Sequence, residues 1–192
     1  MKTGAVLGSG LARILEAAGH QVSREYYIND AGTQIEVFNR SLYVRYAQAL
    51  GREVAMPSDG YLGDYMNQLA KEVIAENGQR FLEMPEADAT KAVGEIGLNK
   101  MLAAIGEDLE TIDVSFDVWF SERSLYQDQF YDHTIEQLRD SGYLTEREGA
   151  LWFISTLLGE EKDNVIVRGT GEPTYFATDI AYHRNKFVER QF

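Results

Sequence analysis

Tyr175 and Asp179 lie in the stretch Gly171-Glu-Pro-Thr-Tyr-Phe-Ala-Thr-Asp-Ile-Ala-Tyr-His-Arg-Asn-Lys-Phe187, and as a pair they suit recognition of a guanidinium. A carboxylate accepts charge-assisted, often bidentate hydrogen bonds from such a group, and a neighbouring phenol adds a hydroxyl and a ring face. Residues 174–177 read as a strand that delivers Asp179 to the head of a helix, where open α/β sheets bind ligands. Spacing taken alone favours a plainer arrangement, with Tyr175 in the core and Asp179 capping the helix after Thr178.

A second polar group occupies Glu25-Tyr-Tyr-Ile-Asn-Asp-Ala-Gly-Thr-Gln34. Here Asn29, Asp30, Gly32 and Gln34 sit at a strand-to-helix turn, where backbone amides can face an anionic or ribose-bearing ligand. Without wider context the residue types favour plain turn and capping chemistry. Gly8-Ser-Gly10 is not a phosphate loop, because Arg13 occupies the third small position and no strand precedes it; the expectation is that these glycines let the first helix pack closely. Arg168 could meet a phosphate or pair with Glu172, and His183 has no serine or cysteine nucleophile beside it. No carboxylate pair stands out as acid and base, and the acidic stretches 107–110, 146–148 and 160–163 read as solvated faces and loops. With no cysteine and three scattered histidines, no metal site is expected.

The elements that must position these residues follow from periodicity. Leu7, Leu11, Ile14, Leu15 and Ala18 predict an amphipathic helix over 5–18, followed by a strand in 21–28 and a helix from about 33 to Gly51. A loop over 52–60 leads to a helix ending at Asn77-Gly78, and another helix is expected over 86–105, weakened by Gly94 and Gly97. Alternation of Val114, Phe116, Val118 and Phe120 predicts a strand, and a helix is expected over 127–141. Residues 143–172 read as a small β-rich insertion with strands about the 146–149 turn and at 164–167. The fold class is α/β.

The 192 residues, 44% hydrophobic, can bury a core. Neither a signal peptide nor an apolar run long enough to span a bilayer is evident, which gives the expectation of a cytoplasmic chain without membrane contact. A net charge of −13 argues against a large nucleic-acid surface and predicts weak nucleic-acid binding.

Taken together, the 25–34 and 171–187 blocks resemble the catalytic core of arginyl-tRNA synthetases. Asp117-Val-Trp-Phe-Ser-Glu-Arg-Ser-Leu-Tyr126, Gly149-Ala-Leu-Trp-Phe153 and Lys162-Asp163 extend the likeness in order and spacing. The resemblance implies a partial class I, Rossmann-like nucleotide-binding domain with helical connections and a small β-rich insertion. Its implied divisions are core at 1–126, connective insertion at 127–172, and a return to the core at 173–192, all in one packed body. Tyr175 and Asp179 then map to the arginine pocket, and Asn29, Asp30, Gly32 and Gln34 to the active-site wall. Arg168-Gly-Thr-Gly171 departs from the family's Arg-Ser-Asp-Gly. The family's His-x-Gly-His element would precede Gly4 and its lysine-rich loop would follow Phe192, so a fragment inactive in isolation is expected. The intact enzyme would use L-arginine, ATP with Mg²⁺, and tRNA; the rival is a non-catalytic binding or regulatory protein derived from a synthetase. With the central strand missing, 22–28 should pair in parallel with 115–120, and strand 174–177 should lie unpaired roughly 9–10 Å from 22–28.

Overall fold

The computed structural model describes residues 2–127 and 129–191; Met1, Asp128 and Phe192 lie outside the described residues, including the Asp128 position of the helix expected over 127–141. The helices are α1 (Lys2–Ala17), α2 (Thr33–Ala49), α3 (Asp64–Asn77), α4 (Glu86–Glu110), α5 (Glu122–Gln127), α6 (Phe130–Asp140) and α7 (Tyr175–Arg184). Strands β1 (Glu25–Ile28) and β2 (Val118–Ser121) form one sheet, and β3 (Leu144–Arg147), β4 (Ala150–Phe153) and β5 (Asn164–Val167) form another in that order. The chain is α/β and divides into two units: residues 1–26 with 30–119, and residues 27–29 with 120–192.

In the first unit, the apolar stripes of α2, α3 and α4 meet around Leu42, Tyr46, Met66, Leu69, Val73 and Val93, with Phe81 closing the end. Gly97 on α4 is required by this packing, because a Cβ there would run into the Leu42 side chain. The residue that weakens the helix in isolation is therefore the one that lets it approach α2. Tyr46 is fully buried, yet its phenol is satisfied: it donates to the Gly78 carbonyl at 2.8 Å and accepts from the Phe81 amide at 3.3 Å.

Helix α1 forms as expected, but its apolar stripe is not covered. Leu7 is 74% exposed, and Val6, Leu11 and Ile14 are also exposed, while Ala12 is buried. Two ion pairs hold the helix, Arg13 with Asp113 at 2.6 Å and Glu16 with Arg24 at 2.6 Å. The expected packing role of its glycines is not found, since a Cβ at Gly4, Gly8 or Gly10 would meet nothing within 4 Å. Arg24, which breaks the apolar row of β1, accounts for itself: besides Glu16, its backbone exchanges hydrogen bonds with Asp117 at 2.7 and 2.8 Å.

In the second unit, β3, β4 and β5 form an antiparallel meander, with Glu148-Gly149 turning between the paired residues Arg147 and Ala150. Asp163 is not the solvated residue its acidic surroundings suggested. It accepts from the Thr156 amide at 3.2 Å and hydroxyl at 2.8 Å and pairs with Arg147 at 2.8 Å, and these contacts, the Thr156 hydroxyl first, hold its carboxyl below its ordinary value.

The strand expected over 174–177 is absent. Extended backbone ends at a bridge between Pro173 and Val167, after which Thr174 is fixed by its amide on the Ile166 carbonyl and its hydroxyl on the Val165 carbonyl, both at 2.8 Å. Anchored there, Thr174 becomes the N-cap position and Tyr175 the first residue of α7. Ala177, Thr178, Ala181 and Tyr182 then form its buried face, a helical rather than alternating period. The strand expected over 114–120 shortens to β2 at 118–121, and α4 runs to Glu110 rather than ending near 105.

Replacing Tyr46 with Phe should keep the ring packing but leave the Gly78 carbonyl and Phe81 amide without a partner. The expected loss is about 1–3 kcal/mol by urea unfolding at constant m-value. An unchanged midpoint would show that the phenol contributes nothing to the helical core.

Candidate functional site

Glu122 opens α5 directly after β2 ends at Ser121, so a carboxylate stands at the carboxyl end of a strand. It is 5% exposed, a depth at which an ionised carboxylate requires partners. Its charge is felt by the phenol of Tyr27 on β1. The Tyr27 ring stacks on Phe120 at 6.0 Å and meets Tyr182 edge-on at 4.7 Å. Asp179 of α7 brings a second carboxylate into electrostatic reach of the same hydroxyl. Burial first, then the charges of Glu122 and Asp179, push the Tyr27 phenol far above its ordinary value of 10.0, so it keeps its proton.

Tyr126 lies one turn beyond Glu122 on α5 and reaches across to α7. Its hydroxyl is 3.0 Å from Thr178 Oγ1, and Thr178 is itself buried with a bond to the Thr174 carbonyl at 3.4 Å. Burial raises the Tyr126 phenol, the Thr178 contact lowers it, and the Glu122 charge raises it again. The Tyr131 ring is 5.1 Å from that of Tyr126, and its buried hydroxyl has no partner among the described residues. Burial pushes that phenol up to about 12.

Tyr175 and Asp179 stand at positions i and i+4 of α7, so they are neighbours on one helix face rather than a strand end and a helix head. Tyr175 is 61% exposed and not core. Asp179 is exposed and lies five residues past Thr174, so it does not cap the helix. The backbone carbonyl of Asp179 contacts His183 Nδ1 at 2.8 Å, which, with ring contacts to Tyr182 and Phe187, accounts for that histidine. The Arg168 guanidinium stands 4.0 Å from the Glu172 carboxylate, both side chains being exposed, while the Arg168 backbone amide donates to the Glu172 carbonyl at 2.8 Å.

The other expected wall residues are distributed around the turn into α2. Asn29 follows β1 and is exposed, Asp30 is buried, Gly32 occupies the N-cap position, and Gln34 is exposed on the first turn. Gly32 has φ 75° and ψ −168°, a conformation closed to residues with a Cβ, so this turn demands glycine.

Sequence reasoning named Tyr175 and Asp179 but passed over Tyr27, Glu122 and Tyr126. Glu122 is buried at the end of β2, and Asp179 is exposed on α7. The available signal was an acid at a strand's carboxyl end within the 117–126 block. Chemically, the exposed Asp179 carboxylate and the Tyr175 phenol one turn before it suit a planar cation with several N–H donors. Among the described residues, no group of three His, Cys, Asp or Glu could hold a metal ion.

A spectrophotometric alkaline titration should separate the Tyr27 phenol from the exposed tyrosines. Tyr27→Phe should leave the amplitude gained around the ordinary phenol value unchanged and remove amplitude only at higher pH. Loss of the early amplitude would mean that the hydroxyl is open to water.

The family model for the class I tRNA synthetases (R), catalytic domain, matches residues 3–192. An arginine–tRNA ligase of Dehalococcoides mccartyi is 55% identical over 189 residues, covering 98% of this chain and 34% of that protein. One from Carboxydothermus hydrogenoformans is 51% identical over 184 residues, covering 96% and 33%. A crystal structure from Campylobacter jejuni assigned as an arginyl-tRNA synthetase superposes with a TM-score of 0.84 at 36% identity, covering 96% of this chain and 40% of the other. The chain thus spans about a third of the length of the curated relatives it matches, and it belongs to the catalytic-domain family of the class I tRNA synthetases (R).

Proposed function

We propose that this chain is the arginine-recognising part of an arginine–tRNA ligase, which condenses L-arginine with ATP to an adenylate and passes the arginyl group to tRNA. The observation that carries this reading is Tyr175 and Asp179 one turn apart on α7, in a chain whose residues 3–192 match the class I (R) catalytic-domain family. A guanidinium placed there donates charge-assisted hydrogen bonds to the Asp179 carboxylate, each worth about 1.5–3 kcal/mol. Tyr175, on the same face of α7 as Asp179, supplies a ring and a hydroxyl. Asn29, Asp30, Gly32 and Gln34 form the wall toward the nucleotide, and Mg²⁺ enters with ATP as part of the substrate.

The fold proposed for this role is a Rossmann-like nucleotide-binding core whose central strand lies outside these residues. Supporting it, a groove of about 380 Å³ runs between Leu11 and Leu15 of α1 and the backbone segments 22–25 and 114–116. The cytoplasm suits this activity, and no helix among the described residues is long and apolar enough to cross a membrane. With a net charge of −13, this segment contributes little to tRNA affinity.

The test is to graft the chain in place of the matching third of the Dehalococcoides mccartyi ligase and follow arginine-dependent exchange of pyrophosphate into ATP. The graft should be active and the isolated 192 residues silent. Asp179→Asn should cost roughly 2–4 kcal/mol in arginine recognition, raising the KM for arginine far more than that for ATP. A soluble graft with no exchange, or an Asp179→Asn graft with unchanged arginine dependence, would sink the reading.

A further inference from the structure

The exposed row that begins with Tyr175 and Asp179 continues at the same four-residue step through His183 to Phe187, and all four side chains face solvent. Resting on the arginine-recognition reading above, we propose that His183 is a further arginine-recognition residue: its Nε2 accepts a hydrogen bond from the guanidinium that Asp179 holds by its other donors.

His183 Nδ1 lies 2.8 Å from the backbone carbonyl of Asp179. A carbonyl oxygen only accepts, so Nδ1 carries the hydrogen and the neutral ring has its lone pair on Nε2. That bond also sets where the ring is. Helical side chains lean toward the N-terminus, over the residue four positions earlier, so a ring tied to the Asp179 carbonyl lies beside the Asp179 side chain. Its orientation is limited further by Tyr182, edge-on at 5.6 Å, and by Phe187 at 6.4 Å. A held acceptor therefore stands one turn from an exposed carboxylate.

Phe187 owes its place to a change in the helix. Four residues overshoot an α-helical turn of 3.6, so a row read at every fourth position drifts around the axis. Asn185–Glu189 is a π turn, closed by the Arg190 amide on the Asn185 carbonyl at 3.1 Å, and its longer repeat takes back part of that drift. Phe187 then meets the His183 ring. Turns of this kind are rare and collect at functional sites. A guanidinium has five N–H donors in one plane, of which a carboxylate takes two, so a recognition face needs more acceptors than Asp179 alone supplies. Because arginine reacts at its carboxylate, at the far end of the side chain from the guanidinium, losing the imidazole should weaken binding without slowing chemistry.

The experiment uses the same graft and four proteins: the parent, His183→Ala, His183→Gln and Asp179→Asn. Ala is a good helix former at an exposed position and removes the ring, whereas Gln returns an acceptor oxygen at nearly the reach of Nε2. His183→Ala should raise the KM for arginine on the order of tenfold, with kcat and the KM for ATP within about twofold and thermal unfolding little changed. His183→Gln should recover most of that loss. An unchanged arginine KM in His183→Ala, or no recovery in His183→Gln, would overturn the assignment. A KM that rises only in step with lost thermal stability would overturn it as well, leaving the histidine to hold the end of α7. If the parent graft is silent, or Asp179→Asn leaves arginine dependence unchanged, the arginine-recognition reading fails and the role of His183 fails with it. If Asp179→Asn raises the arginine KM and His183→Ala does not, that reading stands and this inference falls.

Discussion

A carboxylate taken out of water must be given donors or a cation, and the second unit is arranged around meeting that demand for Glu122. β2 ends where α5 begins, which puts the residue at depth. The Tyr27 phenol of β1 feels the charges of both Glu122 and Asp179 of α7, which with burial hold it above its ordinary value. Lys186 and Arg190 lie over the rings of Tyr182 and Phe120 at 4.4 and 4.9 Å, so cations already pack against the same aromatic layer.

The first unit meets a different constraint. Its three long helices bury a continuous apolar core, tightened by Gly97 and tied by the Tyr46 phenol. It also fixes the start of α2: the Ser41 hydroxyl donates to the Val37 carbonyl at 2.7 Å and accepts from the Tyr61 amide at 2.9 Å. That holds the helix whose first turn carries Gly32 and Gln34. Stability of this kind lets a turn keep a backbone conformation open only to glycine.

Where periodicity met a complete local signal, the sequence was legible. The stripes of α2 and α3, and the turn at Glu148-Gly149, follow from apolar spacing and turn residues read over a few positions. The errors are equally informative. Pro173-Thr-Tyr-Phe176 has strand-forming residues over a short run, yet two hydrogen bonds from Thr174 to the 165–166 backbone turn it into a helix start. Four residues of propensity are worth less than one well-placed tertiary anchor. The α1 pattern announced a helix correctly, but a pattern specifies which face is apolar and not what, if anything, covers it.

For the site, the sequence by itself determined residue chemistry: an acid and a phenol at i and i+4 near the C-terminus, a glycine-bearing turn after β1, and a family likeness that gave them meaning. It could not determine that the rings of Tyr27, Phe120 and Tyr182 meet, because they are separated by 93 and 62 positions and no local period links them. Only the tertiary structure decided that, by turning the Tyr27 ring between Phe120 and Tyr182 beside the buried Glu122. The physical reason is that local sequence sets backbone conformation and facial polarity, whereas the meeting of side chains from distant elements is set by how packed elements cross.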